Sequence, residues 1–86
     1  MEKSIYSEQY LRFLTRLREA RKAAGFTQID LAERLGEKAT QSFVSKCERG
    51  ERRIDIAELR AFCKAMSIPL ATFVNEVDEE LLAEEK

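Results

Sequence analysis

The stretch that decides the fold is FTQIDLAERLGEKATQSFVSKCERG, residues 26–50. It contains two short patterns of helical periodicity, which are separated by Gly36 and a few polar residues. The first pattern has an apolar face formed by Leu31, Ala32 and Leu35. The second, over residues 41–48, turns only Val44 and Cys47 inward. Its outer face carries hydrogen-bonding groups and a cation, from Gln41, Ser42, Ser45 and Lys46. Such a helix is typical of one that presents its outer face to a binding partner.

The chain has 86 residues and a formal net charge of −1, but its charges are unevenly distributed. Residues 12–64 carry thirteen Lys and Arg against eight Asp and Glu, a balance of +5. From residue 76 to the end there are six acidic residues and one basic residue, a balance of −5. The whole-chain charge argues against a nucleic-acid partner, whereas a basic body with an acidic end is compatible with one.

The sequence has two cysteines and no histidine, so few residues are available to form a disulfide or to bind a metal ion. Cys47 and Cys63 fall at apolar positions of helical patterns, so we expect small buried side chains there. The sequence shows no signal peptide and no apolar run long enough to span a membrane. We therefore expect a soluble, cytoplasmic protein without a cofactor, and its length predicts one domain.

Capping residues and apolar periodicity predict five helices. The first runs from an N-cap at Ser7 to about Ala24, after a frayed start. The second spans residues 28–35 after an N-cap at Thr27, and the third follows an N-cap at Thr40. Turns of two to six residues join the helices, which predicts an all-α, compact five-helix bundle.

The fourth helix begins after Asp55, with Glu58 completing a capping box. Its expected inner face is formed by Ile56, Leu59, Phe62, Cys63 and Met66. Pro69 precedes a last short helix, whose expected inward side chains are Leu70, Phe73, Val74 and Val77. We divide the domain into a core of residues 7–76 and an acidic tail of residues 77–86. A disordered, solubilising end is the default expectation for this tail.

Three segments carry a resemblance to a known family: TQIDLAERLG, QSFVSKCERGER and IAELRAFCKAMSIPLATFV. They resemble the helix-turn-helix domain of the Cro/CI phage-repressor family, the XRE type, over Leu17–Val74. The resemblance implies a lambda-repressor-like DNA-binding fold with the helix-turn-helix at helices 2 and 3. Two features depart from the family pattern. The connector of residues 37–40 looks about two residues longer than usual, and the segments before Leu17 and after the core lie outside the common domain.

The resemblance implies roles for particular positions. Gln28, at the start of the second helix, matches a position that meets a DNA phosphate, and helix N-termini favour such anions. Groove-facing positions of the recognition helix are matched by Gln41, Ser42, Ser45 and Lys46, preceded by Thr40. An amide can bind adenine through two hydrogen bonds, and Lys can reach guanine. Phosphate contacts are expected from Arg49, Arg52 and Arg53, which position the protein without reading sequence.

Each of these positions also has a structural interpretation. Gln41 and the two serines can be ordinary residues of a solvated helix, and Lys46 an ordinary surface cation. The arginines after the helix can be a solvated turn. Phe43 either packs against the second helix or contacts a thymine methyl group, and packing is the favoured interpretation. For Arg21 and Glu48 the resemblance implies a structural ion pair, which bridges the first helix to the end of the recognition helix.

We expect a sequence-specific DNA-binding transcriptional regulator, a repressor that binds as a homodimer. Expected places for the dimer interface are the fifth helix with Leu81 and Leu82, or the start of the first helix around Ile5 and Tyr6; core packing is an equal alternative for these residues. The acidic tail can also oppose non-specific DNA binding. The rival functions are an antitoxin-type module that acts through a small protein partner, and an interaction domain without DNA binding. An enzyme is disfavoured because no nucleophile lies beside a base and no glycine-rich phosphate loop is present.

Overall fold

The computed structural model describes the backbone of residues 2–85 and the side chains of residues 8–85, and this part of the chain folds into five helices without a strand. α1 spans Glu2–Ala23, α2 spans Gln28–Leu35, α3 spans Gln41–Glu48, α4 spans Ile56–Ala65 and α5 spans Leu70–Glu84. The predicted all-α fold class is confirmed, and α2 and α3 have the predicted bounds. None of the described helices is long and apolar enough to cross a membrane.

Side-chain caps fix where the short helices begin. Thr27 Oγ1 accepts a hydrogen bond of 3.0 Å from the Asp30 N–H, and an Asp30 carboxylate oxygen accepts one of 2.9 Å from the Thr27 N–H. Thr40 Oγ1 accepts a bond of 3.0 Å from the Phe43 N–H. These bonds satisfy N–H groups that a helix start leaves without partners. The capping box at the start of α4 is also present, so the predicted caps of these three helices are confirmed.

All five helices contribute side chains to the buried core. The largest fully buried side chains are Phe62, Phe73, Leu14, Leu17, Leu31, Val44, Cys47 and Cys63. α2 and α3 have eight residues each, which is too short for a helix to be stable alone. Their stability therefore depends on packing, and each large apolar side chain buried there contributes about 1.5–3 kcal/mol. Both cysteines are buried, as expected; they are free thiols, and burial raises their pKa.

The acidic end of the chain is helical and pairs with α1. Arg12 Nη1 lies 3.1 Å from Glu80 Oε2, and Arg12 also pairs with Glu84. Arg16 Nη2 lies 3.1 Å from Glu76 Oε1. The predicted short last helix and disordered tail are therefore wrong, because acids at every fourth residue form one stripe along α5 that meets guanidinium groups of α1. The assignment of residues 1–86 to one domain stays a prediction.

Three further expectations about the helices are wrong. α1 begins at Glu2, so Ser7 lies within the helix and does not cap it. Ile56 is 66% exposed and Val74 is 43% exposed, although both were expected to face inward. Ile56 lies in the first turn of α4, about 60° around the helix from Leu59, and Val74 lies about 100° from the buried Phe73. The side chains of residues 5 and 6, one expected interface, lie outside those described.

Candidate nucleic-acid interface

One face of α3 rests on the rest of the domain and the other is open. Val44, Cys47 and Glu48 are buried. The polar face of α3 comprises the exposed Gln41, Ser42 and Lys46 and the half-buried Ser45. These four positions are separated by one, three, four or five residues and span an arc of about 140°, so they share one side of the helix. The structure therefore brings the four predicted groove-facing residues together on an accessible surface.

The connector between α2 and α3 consists of residues 36–40. Gly36 ends α2 with a φ of 121°, a backbone conformation that favours glycine. The Ala39 N–H donates to the Gly36 carbonyl at 3.1 Å, which makes the connector a closed turn. Thr40 then caps α3. The cap uses the Thr40 hydroxyl oxygen only as an acceptor, so the O–H group is still able to donate to DNA in the predicted contact.

Gln28 joins the polar face of α3 to the buried interior. Its side-chain amide nitrogen donates to Glu48 Oε1 at 2.9 Å. Its amide oxygen accepts a bond of 2.7 Å from the amide nitrogen of Gln41. Gln28 is half-buried, so it holds the Gln41 side chain in addition to lying at the start of α2, where the phosphate contact was predicted.

A buried ion pair holds the end of α3 against α1. Arg21 Nε donates to Glu48 Oε2 at 2.6 Å, and Arg21 Nη2 donates to Glu48 Oε1 at 3.1 Å. The residues are 7% and 3% exposed. Arg21 Nη1 also donates to the Phe26 carbonyl at 2.8 Å, and Arg18 donates to the Glu48 carbonyl at 3.3 Å. The expected pair is confirmed, while the contribution of Arg18 was missed because nothing in the sequence relates it to Glu48.

Arg49 lies at the C-cap of α3 and has partners within the domain. It donates to both carboxylate oxygens of Glu51, at 2.9 and 3.1 Å, and to the hydroxyl of Ser45. These hydrogen bonds lower the pKa of Glu51 and raise that of Arg49. The Arg49 guanidinium is thereby placed beside the polar face of α3, with part of its charge compensated.

Arg52 and Arg53 follow α3 in the turn that leads to α4. Arg52 donates to Glu58 at 2.9 Å, and its guanidinium carbon lies 5.0 Å from the centre of the Phe43 ring. The hydrogen bond to Arg52 is the main cause of a lowered pKa at Glu58. Arg53 stacks over Tyr10, with 4.7 Å between its guanidinium carbon and the ring centre. Both arginines are exposed, so they combine a structural contact with an accessible cation.

The arrangement is suited to binding an anionic, hydrogen-bonding surface. The polar face of α3 offers one amide group, two hydroxyl groups and an ammonium group, and three guanidinium groups lie just beyond it. Within the described side chains, no group of three or more Cys, Asp or Glu could hold a metal ion. The array of hydrogen-bonding groups and cations favours recognition of a polymer groove, in which such side chains meet base edges and phosphates.

Comparisons with known proteins agree with this geometry. A family model described as helix-turn-helix matches residues 17–73. Among solved structures, the chain is similar to an XRE-family like protein from Pseudomonas syringae pv. tomato str. DC3000, with 40% sequence identity and a TM-score of 0.84, over 92% of this chain and 94% of that one. No curated protein matches the chain. The family is one of DNA-binding regulators and not of enzymes. The chain therefore belongs to the XRE-type helix-turn-helix family.

Proposed function

We infer that the chain is a sequence-specific transcriptional repressor that binds DNA as a homodimer and inserts α3 into the major groove. One observation carries this proposal: the buried Arg21–Glu48 pair fixes α3 while its polar face stays exposed. Because α3 is already held in place, it can enter a groove without a rearrangement of its side chains. The DNA target implies a cytoplasmic location.

The proposal divides the predicted residues into two groups. Bases are read by the polar face of α3, where Gln41 and Lys46 carry the longest side chains and the serines allow a close approach. Phosphates are bound around this face by Gln28, Thr40, Arg49, Arg52 and Arg53. Since Arg49 and Arg52 already pair with Glu51 and Glu58, they bind a phosphate only by sharing or releasing these carboxylates.

The homodimer is supported by apolar side chains that α1 and α5 leave exposed. Leu11 is 57% exposed and Leu82 is 51% exposed. Leu11 and Leu81 line one groove between the two helices. Two copies joined here would offer two α3 helices to half-sites about 34 Å apart. The same surface would serve the alternative function, binding of a small protein partner by an antitoxin-type module.

Selection of bound sequences from a random DNA pool, with the full chain, tests the proposal. We expect a palindromic consensus, and a complex of two chains per duplex by analytical ultracentrifugation. Retention on DNA that enriches no sequence and disappears in moderate salt would contradict base reading. Co-purification of a small protein in that case would favour the partner-binding module. Repression is tested separately by a reporter gene placed behind the selected site.

A further inference from the structure

The side chains of Glu48, Gln28 and Gln41 form a continuous line of hydrogen bonds from the interior to the polar face of α3. We name this line the amide relay. The Glu48 side chain is 2% exposed, and the two Arg21 donors bind both of its carboxylate oxygens. Guanidinium groups only donate hydrogen bonds. The Glu48 carboxylate, at the inner end of the relay, is therefore an ion that accepts hydrogen bonds and donates none.

An accepting carboxylate fixes which way round the Gln28 amide lies. Only the NH2 group of Gln28 can face Glu48, since an amide oxygen there would meet a carboxylate oxygen at hydrogen-bond distance. The Gln28 oxygen must then face Gln41. That oxygen accepts, so Gln41 must in turn direct its own NH2 group toward Gln28, at the observed 2.7 Å.

This ordering decides what Gln41 has left for a ligand. One of its two N–H groups is used by Gln28, and its amide oxygen makes no hydrogen bond to the described side chains. An exposed Gln41 therefore offers one acceptor and one remaining donor. Without the relay, the amide could rotate by 180° and offer two donors on the same side as readily.

We propose that Glu48, acting through Gln28, is a positioning residue that makes Gln41 select adenine over guanine. In the major groove adenine presents the N6 donor and the N7 acceptor, which match one acceptor and one donor. Guanine presents two acceptors, N7 and O6, so the Gln41 oxygen would face O6 unpaired. The inference rests on the proposed function, because it applies only if Gln41 faces a base. It adds that a buried acid outside the interface sets the base preference.

The test compares base preference at one position of the selected site. Gln41→Ala first identifies this position as the one whose preference disappears. Binding of the full chain is then measured to duplexes with adenine or guanine there. We expect the unaltered chain to prefer adenine by roughly 5- to 150-fold, the range of one good two-bond contact. Gln28→Met keeps the side-chain length but breaks the relay, and should reduce the preference to about threefold or less.

Glu48→Gln provides a second variant, because a neutral amide can both donate and accept and no longer imposes one direction. Its adenine preference should fall too, in a chain that thermal unfolding shows to be folded. A purely structural or phosphate-binding role predicts equal losses for both duplexes in either variant, and that result would overturn the relay.

Amide hydrogen exchange in the free protein tests the relay without DNA. The Gln28 side-chain NH2 signal, assigned by its loss in Gln28→Met, should exchange at least about tenfold more slowly than that of the exposed Gln9. Equal rates would also overturn the relay. If Gln41→Ala removes no base preference, the proposed reading role of Gln41 fails and the inference fails with it. Loss of the relay alone leaves the Gln41→Ala result intact, so the two failures are distinguishable.

Discussion

Removal of Arg21 from the buried ion pair is expected to destabilise the domain severely. In Arg21→Ala the Glu48 carboxylate keeps the Gln28 amide at 2.9 Å and has only the distant Arg18, whose Nε lies 3.9 Å from Glu48 Oε1. The Phe26 carbonyl also loses its donor at 2.8 Å. An unpaired buried charge costs about 3–5 kcal/mol.

This cost is large compared with the stability of the whole domain. Stabilities of about 0.05–0.15 kcal/mol per residue give roughly 4–13 kcal/mol for a chain of this length. At about 4–8 °C per kcal/mol, the unfolding midpoint should fall by about 12 °C or more. Glu48→Ala should show a similar loss, because it leaves the Arg21 guanidinium buried with only one of its partners. The double variant should cost clearly less than the sum of the two.

The assay is a double-mutant cycle, followed by circular dichroism during thermal and urea unfolding. The coupling free energy between Arg21 and Glu48 should exceed about 2 kcal/mol, since each single change leaves an unpaired charge and the double change leaves none. Arg12 and Glu80 supply the matched control. They form a similar pair at 3.1 Å, but their side chains are 48% and 33% exposed, so their coupling should lie within about 0–1 kcal/mol.

A coupling free energy for Arg21 and Glu48 no larger than that of the control pair would refute this reasoning. It would mean that water reaches the carboxylate or that Arg18 replaces Arg21 without loss. α3 would then be held by apolar packing alone. The fixed position of its polar face, on which the proposed function rests, would need a different explanation.

Three other outcomes are expected. Lys46→Ala should weaken binding to the selected site by about 1–3 kcal/mol and relax one base preference. Lys64→Ala, at the far end of α4 from Arg52, is the control and should change neither the affinity nor the preference. An equal loss of affinity on all sequences would make Lys46 a phosphate contact. Arg52→Ala should weaken binding to all sequences alike and reduce the slope of log affinity against log salt concentration by at most about one. Glu58→Gln frees Arg52 from its carboxylate and should steepen this slope. A shallower slope in Glu58→Gln would contradict the phosphate contact. The pKa of Glu58 lies below its ordinary value of 4.5, so the stability that this group contributes is present above pH 4.5 and is lost as the pH falls through the lowered pKa. The midpoint of urea unfolding should therefore decline less in acid for Glu58→Gln than for the unaltered chain. Parallel declines of the two midpoints would contradict the assignment.

Local features of the sequence were sufficient to predict the two central helices. Thr27 and Thr40 were recognised as caps because an N-cap hydroxyl binds an N–H only three residues away. Gly36 separates the two helical patterns in the sequence, and in the structure it ends α2 with a φ of 121°, which favours glycine. Such interactions join neighbouring residues, so both partners lie in one short segment of the sequence.

The errors and omissions involve partners that are distant in sequence. The acids of α5 resemble a solvated tail until Arg12 and Arg16 are placed beside them, more than fifty residues earlier. The amide relay joins residues 20 and 13 positions apart, and nothing local shows that Gln28 faces Glu48 and not solvent. The Arg49–Glu51 pair was also missed, although its spacing of two in a turn was a signal that could have been used.

The pairing of α5 with α1 changes how the charge asymmetry of the chain should be interpreted. Arg12 and Arg16 contribute to the positive balance of the body, but the carboxylates of α5 compensate them on one face of α1. The cations that keep no carboxylate partner within 4.0 Å among the described side chains include Lys46 and Arg53, at and just beyond α3. Lys22, Arg34, Lys38, Arg60 and Lys64 also lack such a partner, so the compensation by α5 removes one face of α1 from the attraction for a polyanion and leaves the cations of the other helices. For the proposed DNA binding, the face of α1 that pairs with α5 should therefore attract phosphates less than the arginines after α3 do, because orientation on a polyanion depends on where positive charge is left uncompensated.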